Sequence, residues 1–345
     1  MTDATDASDA GLARRTPLAT DEAAALADRI VDNVESVIVG KHDAVEPLLV
    51  TILARGHLLI EDVPGVGKTT LAKAIAASVD CSFKRVQFTP DLLPSDVTGV
   101  NVFNQRTSEF DFQPGPVFAN VVLGDEINRA PPKTQSALLE AMEERQVTTD
   151  GVTRELPDPF CVIATQNDVE PGRTYELPVA EVDRFTKKLR LGYPTPDEEA
   201  EILGRVSGTP GDGRDATDRD AADRDAADRD THPVDALDPV ATVEDLRRAR
   251  RTVANVEATE PIRSYVSRLT AYTREHAALG ASPRGSIALL RTAQARAVLD
   301  GRDYVIPDDV QREARTVLAH RIRPESGSRT GADVVASALD SVAVE

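Results

Sequence analysis

The feature that most constrains the fold of this 345-residue chain is an apolar segment that runs into a glycine-bearing turn. The apolar residues 58–60 are followed by Gly65, Gly67 and Lys68, and then by a helical stretch over 71–77. A strand, such a turn and a helix together let backbone N–H groups and one lysine surround a phosphate group. The residues of this predicted phosphate loop are Pro64, Gly65, Val66, Gly67, Lys68, Thr69 and Thr70.

Each residue type in the phosphate loop has its own task. Gly65 and Gly67 let the backbone approach phosphate oxygens, and Lys68 supplies positive charge to the β- and γ-phosphates. We expect the Thr69 hydroxyl to ligate Mg²⁺. The loop departs from the pattern GxxxxGK[ST] at one position, where Asp62 stands in place of the first glycine. That position serves the turn more than the phosphate, so the prediction is only mildly weakened.

Two further apolar runs end in polar side chains. Residues 121–124 lead to Asp125 and Glu126, about 55 residues after the phosphate loop. We expect Asp125 to hold Mg²⁺ and Glu126 to polarise an attacking water as general base. Residues 162–166 lead to Asn167, whose amide could bond the γ-phosphate or its water, although a plain turn at a strand end is the alternative. The local sequence TQND lacks the NKxD motif of GTP-binding proteins, which favours ATP.

Apolar runs alternate with helical stretches from Val37 to Leu191, which predicts an α/β fold on a parallel sheet. After residue 240 the apolar residues recur at helical spacing alone, and Ser282-Pro283 marks the start of a helix to about Leu299. A P-loop α/β domain followed by a small all-α lid domain is therefore expected. The five predicted strands are His57–Glu61, Ser82–Phe88, Asn120–Gly124, Pro159–Thr165 and Thr186–Leu191.

The composition divides the chain further. The segment 214–230 repeats RDAAD-like units with a period of five, which matches neither a helix face nor a strand face. Such a segment is typical of a solvated linker. The predicted parts are a disordered tail (1–20), a nucleotide-binding α/β domain (21–205), an acidic linker (206–240), a helical lid (241–330) and a C-terminal tail (331–345).

The net charge of −18 argues against a protein that coats DNA or binds anionic membranes. Seven lysines among 40 basic residues and the absence of tryptophan favour a salt-adapted protein, with a merely acidic protein from a GC-rich genome as the alternative. The two cysteines, Cys81 and Cys161, form no disulfide or zinc pattern, which fits a reducing cytoplasm. No apolar run approaches 18 residues and the N-terminus lacks a signal-peptide pattern, so no membrane insertion is expected.

Four longer stretches resemble the MoxR family of AAA+ ATPases. They are GDEINRAPPKTQSALLEAMEERQV (124–147), ATQN (164–167), LPVAEVDRF (177–185) and ASPRGSIALLRTAQARAVLDGRDYVIPDDV (281–310). They occur in the family's order, and the resemblance covers about residues 35–200 and 255–325. It implies a five-stranded AAA+ core in which the strand before Asn167 lies between the phosphate-loop strand and the Asp125 strand, so that Asn167 is sensor 1.

The resemblance also implies roles for residues outside the phosphate loop. Arg184 would be an arginine finger that reaches the ATP of the next subunit, although a surface charge paired with Asp183 is the alternative. Arg284 would be sensor 2, which contacts the γ-phosphate and couples the lid to the nucleotide, or else an ordinary solvated arginine. Val39 and Gly40 would line the adenine pocket, or else form a plain turn.

Two segments resemble insertions of the family. Residues 98–120 carry four phenylalanines and resemble the helix-2 insert, which faces the pore or partner side of the ring. A long loop folded on its own core is the alternative. Residues 146–156 contain Asp150-Gly151 between β-formers, a strong hairpin signal, and resemble the hairpin that precedes sensor 1.

Together these observations predict an ATPase that binds ATP and Mg²⁺, and the resemblance implies that ATP binds between the subunits of a hexameric ring. The resemblance implies chaperone-like remodelling or maturation of clients, and a partner with a von Willebrand factor A domain. No nucleic acid is expected. The alternatives are the ATPase subunit of a magnesium-chelatase-type complex, a non-hydrolysing ATP switch or scaffold, and a nucleic-acid motor, which the acidic surface and 13 aromatic residues disfavour.

Overall fold

A computed structural model describes residues 16–63, 65–166, 175, 177–207, 233–325 and 329–344. The helices are α1 (Thr20–Glu35), α2 (His42–Leu53), α3 (Lys68–Ser78), α4 (Pro94–Thr98), α5 (Pro132–Glu144), α6 (Val179–Val182), α7 (Pro196–Ser207), α8 (Val243–Asn255), α9 (Glu260–Glu275), α10 (Pro283–Leu299), α11 (Pro307–Leu318) and α12 (Gly331–Ser341). The strands are β1 (Leu58–Glu61), β2 (Phe83–Gln87), β3 (Gly99–Asn104), β4 (Glu109–Pro114), β5 (Val121–Asp125), β6 (Gln146–Thr149), β7 (Val152–Glu155), β8 (Cys161–Gln166) and β9 (Lys187–Leu189).

Five strands form one parallel sheet in the order β2-β5-β8-β1-β9. All five predicted strands are present, and the predicted α/β fold with a helical lid is confirmed. Ile163 of β8 lies opposite both Leu58 of β1 and Leu123 of β5. The strand that leads to residue 167 therefore lies between the phosphate-loop strand and the Asp125 strand, as the resemblance implied.

The three central strands β5, β8 and β1 are buried on both faces and are therefore largely apolar, whereas the edge strand β2 carries the exposed residues Lys84, Arg85 and Gln87. Successive side chains of a strand point to opposite faces. In β1, Leu58 and Ile60 join the apolar cluster that includes α1, α2 and α3, while Leu59 joins the cluster around α5. Each fully buried leucine contributes about 2 kcal/mol to the stability of the fold. This three-layer packing therefore holds the central strands, and the loops at their ends, in place.

The helical lid shares its core with the α/β domain. Leu289 and Val317 of the lid are 0% exposed and belong to the same apolar cluster as Leu48 of α2. A buried ion pair joins Lys187 of β9 to Glu313 of α11. Burial lowers the pKa of Lys187, and the charge of Glu313 opposes that shift. Apolar packing and a buried charge pair therefore hold the lid against its own α/β domain.

Two antiparallel hairpins project from the sheet domain. The insert of residues 98–120 forms β3–β4, with Phe103 and Phe110 50% and 70% exposed on one side. Phe112 lies on the same face of β4, two residues nearer the base of the hairpin, beneath the guanidinium of Arg154, 3.8 Å from the ring centre. The insert is thus a hairpin that is packed near its base and exposed near its tip, rather than a loop folded wholly on its own core.

The second hairpin, β6–β7, confirms the signal carried by Asp150-Gly151. Thr149 pairs with Val152 across the turn, and Gly151 has a φ of +78° that favours glycine. The Asp150 carboxylate accepts a hydrogen bond from the Asn101 side-chain amide at 2.7 Å. The two hairpins are therefore in contact with each other.

Two predicted boundaries are wrong. The predicted C-terminal tail forms α12, because Val334, Val335 and Ala338 recur at helical spacing and are at most 1% exposed, and because Thr330 caps the helix. The end of the predicted linker is also folded, since Val234 is 4% exposed. Residues 1–15 of the predicted tail and 208–232 of the linker lie outside the described residues. Among the helices described above, none is long and apolar enough to cross a membrane.

Candidate active site

The phosphate loop connects the end of β1 to the start of α3. Gly65 and Gly67 have φ values of +85° and +92°, a region that side chains other than glycine rarely adopt. A Cβ atom built on either residue would meet no other atom within 4 Å. The backbone of the turn therefore borders open space at the N-terminus of α3, where helix N–H groups attract an anion. Pro64 lies outside the described residues.

Lys68 begins α3 and is only 8% exposed. Its ammonium Nζ donates to the carbonyl oxygens of Asp62 at 3.1 Å and Val63 at 3.2 Å. Burial lowers the pKa of Lys68, while the charges of Asp125, Asp62 and Glu126 oppose that shift. The lysine and the two carboxylates predicted to act in catalysis thus interact within one site.

Asp62 explains the departure of the phosphate loop from the usual glycine. One carboxylate oxygen accepts from the backbone N–H of Val63 at 2.8 Å. The other accepts from the N–H groups of Leu191 at 2.6 Å and Gly192 at 2.7 Å. The aspartate therefore ties the start of the turn to the segment after β9, and a glycine could not make these bonds.

Val39 and Gly40 lie beside that same segment. The next residue, Lys41, donates from Nζ to the carbonyls of Leu191 at 3.1 Å and Gly192 at 3.0 Å. Gly40 has a φ of +66°, and a Cβ atom on it would fall 2.0 Å from the carboxyl carbon of Glu198. The positive φ favours glycine here, whereas the flexible Glu198 side chain could move aside. The role of Val39 and Gly40 at an adenine ring stays a prediction.

Asp125 ends β5 at the same edge of the sheet. Its Oδ1 accepts a hydrogen bond from the Thr165 hydroxyl at 2.6 Å, and its Oδ2 pairs with Arg85 at 2.6 Å. The Thr165 oxygen also accepts from the backbone N–H of Glu126 at 2.9 Å. One hydroxyl therefore orients the two consecutive acidic residues.

Glu126 follows in a left-handed conformation, with a φ of +57°. A residue other than glycine holds such a backbone only at a cost of about 1–3 kcal/mol, and such strain often occurs at functional sites. The Glu126 carboxylate accepts from the Gln87 amide at 2.8 Å and pairs with Arg129 at 2.7 Å. Two polar neighbours therefore fix the Glu126 carboxylate at the carboxyl ends of the strands.

All four of these partners, Thr165, Arg85, Gln87 and Arg129, were missed by sequence reasoning. Thr165 and Gln87 stand at the carboxyl ends of β8 and β2, where ligands of open α/β sheets bind. That position was a usable signal, because both strands were predicted. Asn167 lies outside the described residues, directly after the end of β8.

Arg184 and Arg284 lie together, away from the phosphate loop of their own chain. Both form ion pairs with Glu143 at the end of α5, and the Arg184 Nε lies 3.1 Å from Glu143 Oε2. They line a pocket of about 300 Å³ with Gly56 and His57, which directly precede β1. The two arginines therefore occupy the amino end of the sheet, opposite the predicted phosphate site.

Asp183 does not pair with Arg184. Its carboxylate instead accepts from Nε of Arg321 at 2.9 Å. Arg321 is buried, and burial lowers its pKa to about 10, while Asp183 opposes the shift. Arg321 follows the last stretch that resembles the family, and nothing in the local sequence distinguished it.

The residues present fit a magnesium ion of the kind that accompanies ATP. Among the described residues, no group of three or more His, Cys, Asp or Glu side chains could hold a metal by itself. Mg²⁺ typically takes one or two protein oxygens and fills its other positions with phosphate oxygens and water. The Thr69 hydroxyl and the Asp125 carboxylate, both hard oxygen donors, would supply that small share.

Comparisons with known proteins agree with this geometry. A family model described as "ATPase family associated with various cellular activities (AAA)" matches residues 57–187, and one for the AAA lid domain matches 269–338. The chain is 49% identical to the uncharacterized protein YeaC of Bacillus subtilis, covering 87% of this chain and 88% of YeaC. It is 40% identical to chaperone MoxR1 of Mycobacterium tuberculosis, covering 86% of this chain and 75% of MoxR1.

A solved structure of a candidate ATPase from Cytophaga hutchinsonii is also similar. It superposes with a TM-score of 0.82 at 34% sequence identity, over 94% of this chain and 97% of the other. The sheet, the lid and the phosphate loop define an AAA-type nucleotide-binding protein. The chain belongs to the MoxR family of AAA+ ATPases.

Proposed function

We propose that this protein binds ATP with Mg²⁺ and hydrolyses it. The observation that supports the proposal is the meeting of Lys68, Asp125 and Glu126 at one edge of the sheet, beside an open glycine turn. Lys68 would neutralise the β- and γ-phosphates, and Thr69 with Asp125 would hold Mg²⁺. The metal ion, when bound, neutralises charge that develops on the phosphate oxygens.

Glu126 would act as the general base that takes a proton from the attacking water. To reach that water its carboxylate would leave Gln87 or Arg129, its partners at 2.8 Å and 2.7 Å. Thr165 would keep Asp125 aligned during this movement through its 2.6 Å bond. Asn167, which follows β8, would contact the γ-phosphate or the water as sensor 1.

The arginines would act on the nucleotide of a neighbouring subunit. Arg184 and Arg284 lie at the amino end of β1, and the chain's own phosphate loop lies at the carboxyl end. A four-residue strand separates the two ends by roughly 13 Å. Arg184 as finger and Arg284 as sensor 2 would therefore both serve the next subunit, which requires a closed ring, proposed to be a hexamer.

The resemblance, together with the name of chaperone MoxR1, supports a remodelling or maturation role in which hydrolysis drives a change in a client. A partner with a von Willebrand factor A domain belongs to the same proposal. Two free cysteines and no disulfide in the described residues support a cytoplasmic location. The net charge of −18 makes nucleic acid an unfavourable partner.

A substitution of the general base tests the proposal. Glu126→Gln keeps the shape of the side chain but removes its basicity, so ATP should still bind while turnover falls by about 10²–10⁴-fold. The exposed Glu155, on β7, offers a matched control, and Glu155→Gln should hydrolyse ATP at the wild-type rate. Equal turnover in wild type and Glu126→Gln would refute the role of Glu126.

A further inference from the structure

One buried arginine of the lid, Arg321, binds the turn that carries Arg184. The Arg321 guanidinium, 2% exposed, pairs with the Asp183 carboxylate at 2.9 Å. It also donates to the carbonyl oxygens of Asp183 at 3.1 Å, Phe185 at 2.6 Å and Thr186 at 3.2 Å. These contacts lie on both sides of Arg184. The backbone around Arg184 is therefore expected to move together with the lid.

A single hydroxyl links the same carboxylate to the second arginine. Ser282 caps the N-terminus of α10, and its Oγ accepts from the backbone N–H of Arg284 at 3.1 Å. The same hydroxyl lies 2.9 Å and 3.1 Å from the two Asp183 carboxylate oxygens, to which it donates. The backbones that carry Arg184 and Arg284 are therefore connected through Asp183 and Ser282.

The side chains of the two arginines converge as well. Both guanidiniums pair with the Glu143 carboxylate, which is 31% exposed. The two positive charges repel each other, and an anion between them offsets that repulsion. Glu143 supplies that anion within the single chain.

Gly285 completes the arrangement on the lid side. A Cβ atom on this residue would lie 3.0 Å from Cδ of Arg321, which is tighter than ordinary contact. The absence of a side chain at position 285 lets the Arg321 side chain lie beneath the first turn of α10 and reach the turn that carries Arg184. Two separate features of α10, Ser282 and Gly285, thus accommodate the link to Asp183.

We propose that Asp183 and Arg321 are positioning residues that hold Arg184 and Arg284 as one rigid pair for the γ-phosphate of the next subunit. Glu143 keeps the pair closed until that phosphate displaces it. This inference rests on the proposed ATPase function. With this link in place, the lid and the turn that carries Arg184 move together. ATP bound to the neighbouring subunit would then change the position of the lid through Asp183.

A double-mutant cycle tests the proposal. Asp183→Asn removes the charge that holds Arg321 but keeps the size of the side chain, and we expect kcat to fall about tenfold while ATP affinity stays unchanged. Arg184→Ala should lower kcat by about 10³-fold. If Asp183 acts through Arg184, the double variant will be no slower than Arg184→Ala alone, whereas independent roles would multiply the two losses.

A matched control separates positioning from stability. Asp309 of α11 is 1% exposed and pairs with Arg302 at 2.6 Å. Both residues belong to the lid, and neither contacts the turn that carries Arg184. Asp309→Asn should lower the melting temperature about as much as Asp183→Asn, yet leave kcat at the wild-type value. An equal loss of kcat in both variants would overturn the proposal, because it would trace the effect to the stability of the lid.

A milder variant keeps the test informative if Asp183→Asn does not fold. Ser282→Gly retains a tolerated N-cap and removes only the hydroxyl that joins Asp183 to Arg284, so kcat should fall severalfold with the fold intact. If Asp183→Asn does not fold, a wild-type kcat in Ser282→Gly would by itself overturn the inference and leave the proposed function standing. Absence of ATP turnover in wild-type protein would overturn the proposed function, and the inference with it.

Discussion

The two ends of the central sheet are built in different ways. At the carboxyl end, Gly65, Gly67 and Lys68 come from one short turn, and their roles follow from backbone geometry. At the amino end, Arg184 and Arg284 are 100 residues apart and are brought together by tertiary contacts, among them the pairs that both form with Glu143 from a third segment. The first end depends on local sequence and the second on tertiary packing, so the two should respond differently to substitution.

The largest expected effect concerns the amino end. Arg184→Ala removes the proposed finger and should lower ATP turnover by about 10³-fold, while each phosphate loop still binds ATP. Turnover and binding of ATP by the purified protein are the two measurements. Arg205, which pairs with Glu201 on α7, offers a control, and Arg205→Ala should leave turnover unchanged. A fully active Arg184→Ala ring would contradict the assignment.

The next effect concerns the buried His57, which fixes the end of α5 near Glu143. Its Nδ1 accepts from the Val162 N–H at 3.0 Å and its Nε2 lies 3.1 Å from the Met142 carbonyl, so the ring is neutral. Burial lowers the pKa of His57 from 6.5 to about 3. Because the folded pKa is the lower one, the stability contribution is complete above about pH 6.5 and is lost as pH falls toward 3.

This loss amounts to roughly 5 kcal/mol over that range of pH. His57→Gln, which can still accept and donate, should show a weaker decline in the free energy of unfolding between pH 7 and pH 4. The exposed His276 offers the control, since His276→Gln should leave the decline unchanged. Denaturant unfolding at several pH values measures both. Identical pH profiles for wild type and His57→Gln would contradict the neutral buried imidazole.

A smaller effect concerns the helix that supports the lid. Val335 of α12 is 1% exposed, so Val335→Ala should lower the free energy of unfolding by about 2 kcal/mol through lost packing. Val344, beyond the helix, is 49% exposed, and Val344→Ala should change stability little. Denaturant unfolding compares the two variants. Equal stabilities would mean that α12 adds nothing to the lid.

The smallest effect concerns the carboxyl end. Gln87→Ala removes one hydrogen bond from Glu126, which frees the carboxylate to approach the water and should raise turnover about two- to fivefold. Gln113 of the exposed hairpin strand β4 gives a control of the same residue type, for which we expect no change. Steady-state ATP hydrolysis measures both. Lower turnover in Gln87→Ala would instead make Gln87 part of the catalytic arrangement.

The same contrast explains how much of the site could be predicted. Positive φ values at Gly65 and Gly67 follow directly from the turn, and Asp125 and Glu126 follow from a strand end, so these were predictable. The bonds of Thr165 arise across β8 and β5, 39 and 40 residues apart in the chain, and depend on strand order. Strand order came from the resemblance to a family rather than from periodicity.

The amino end was predictable only in part. The resemblance supplied Arg184 and Arg284. Their pairs with Glu143, and the pair between Arg321 and Asp183, join residues that are 41 to 141 positions apart in the chain. No local pattern encodes such pairs. The error at α12 has a different cause, since its apolar residues show helical spacing that a fuller reading of the C-terminus would have detected.

The most direct test of the account is a mixture of two inactive variants. Lys68→Ala removes phosphate binding but keeps both arginines, whereas Arg184→Ala keeps phosphate binding but loses the finger. If the two ends of the sheet meet between subunits, random mixed rings will contain competent sites at about a quarter of their interfaces, and ATP hydrolysis will return on mixing. Mixed rings that assemble but stay inactive would contradict the claim that Arg184 serves the neighbouring subunit.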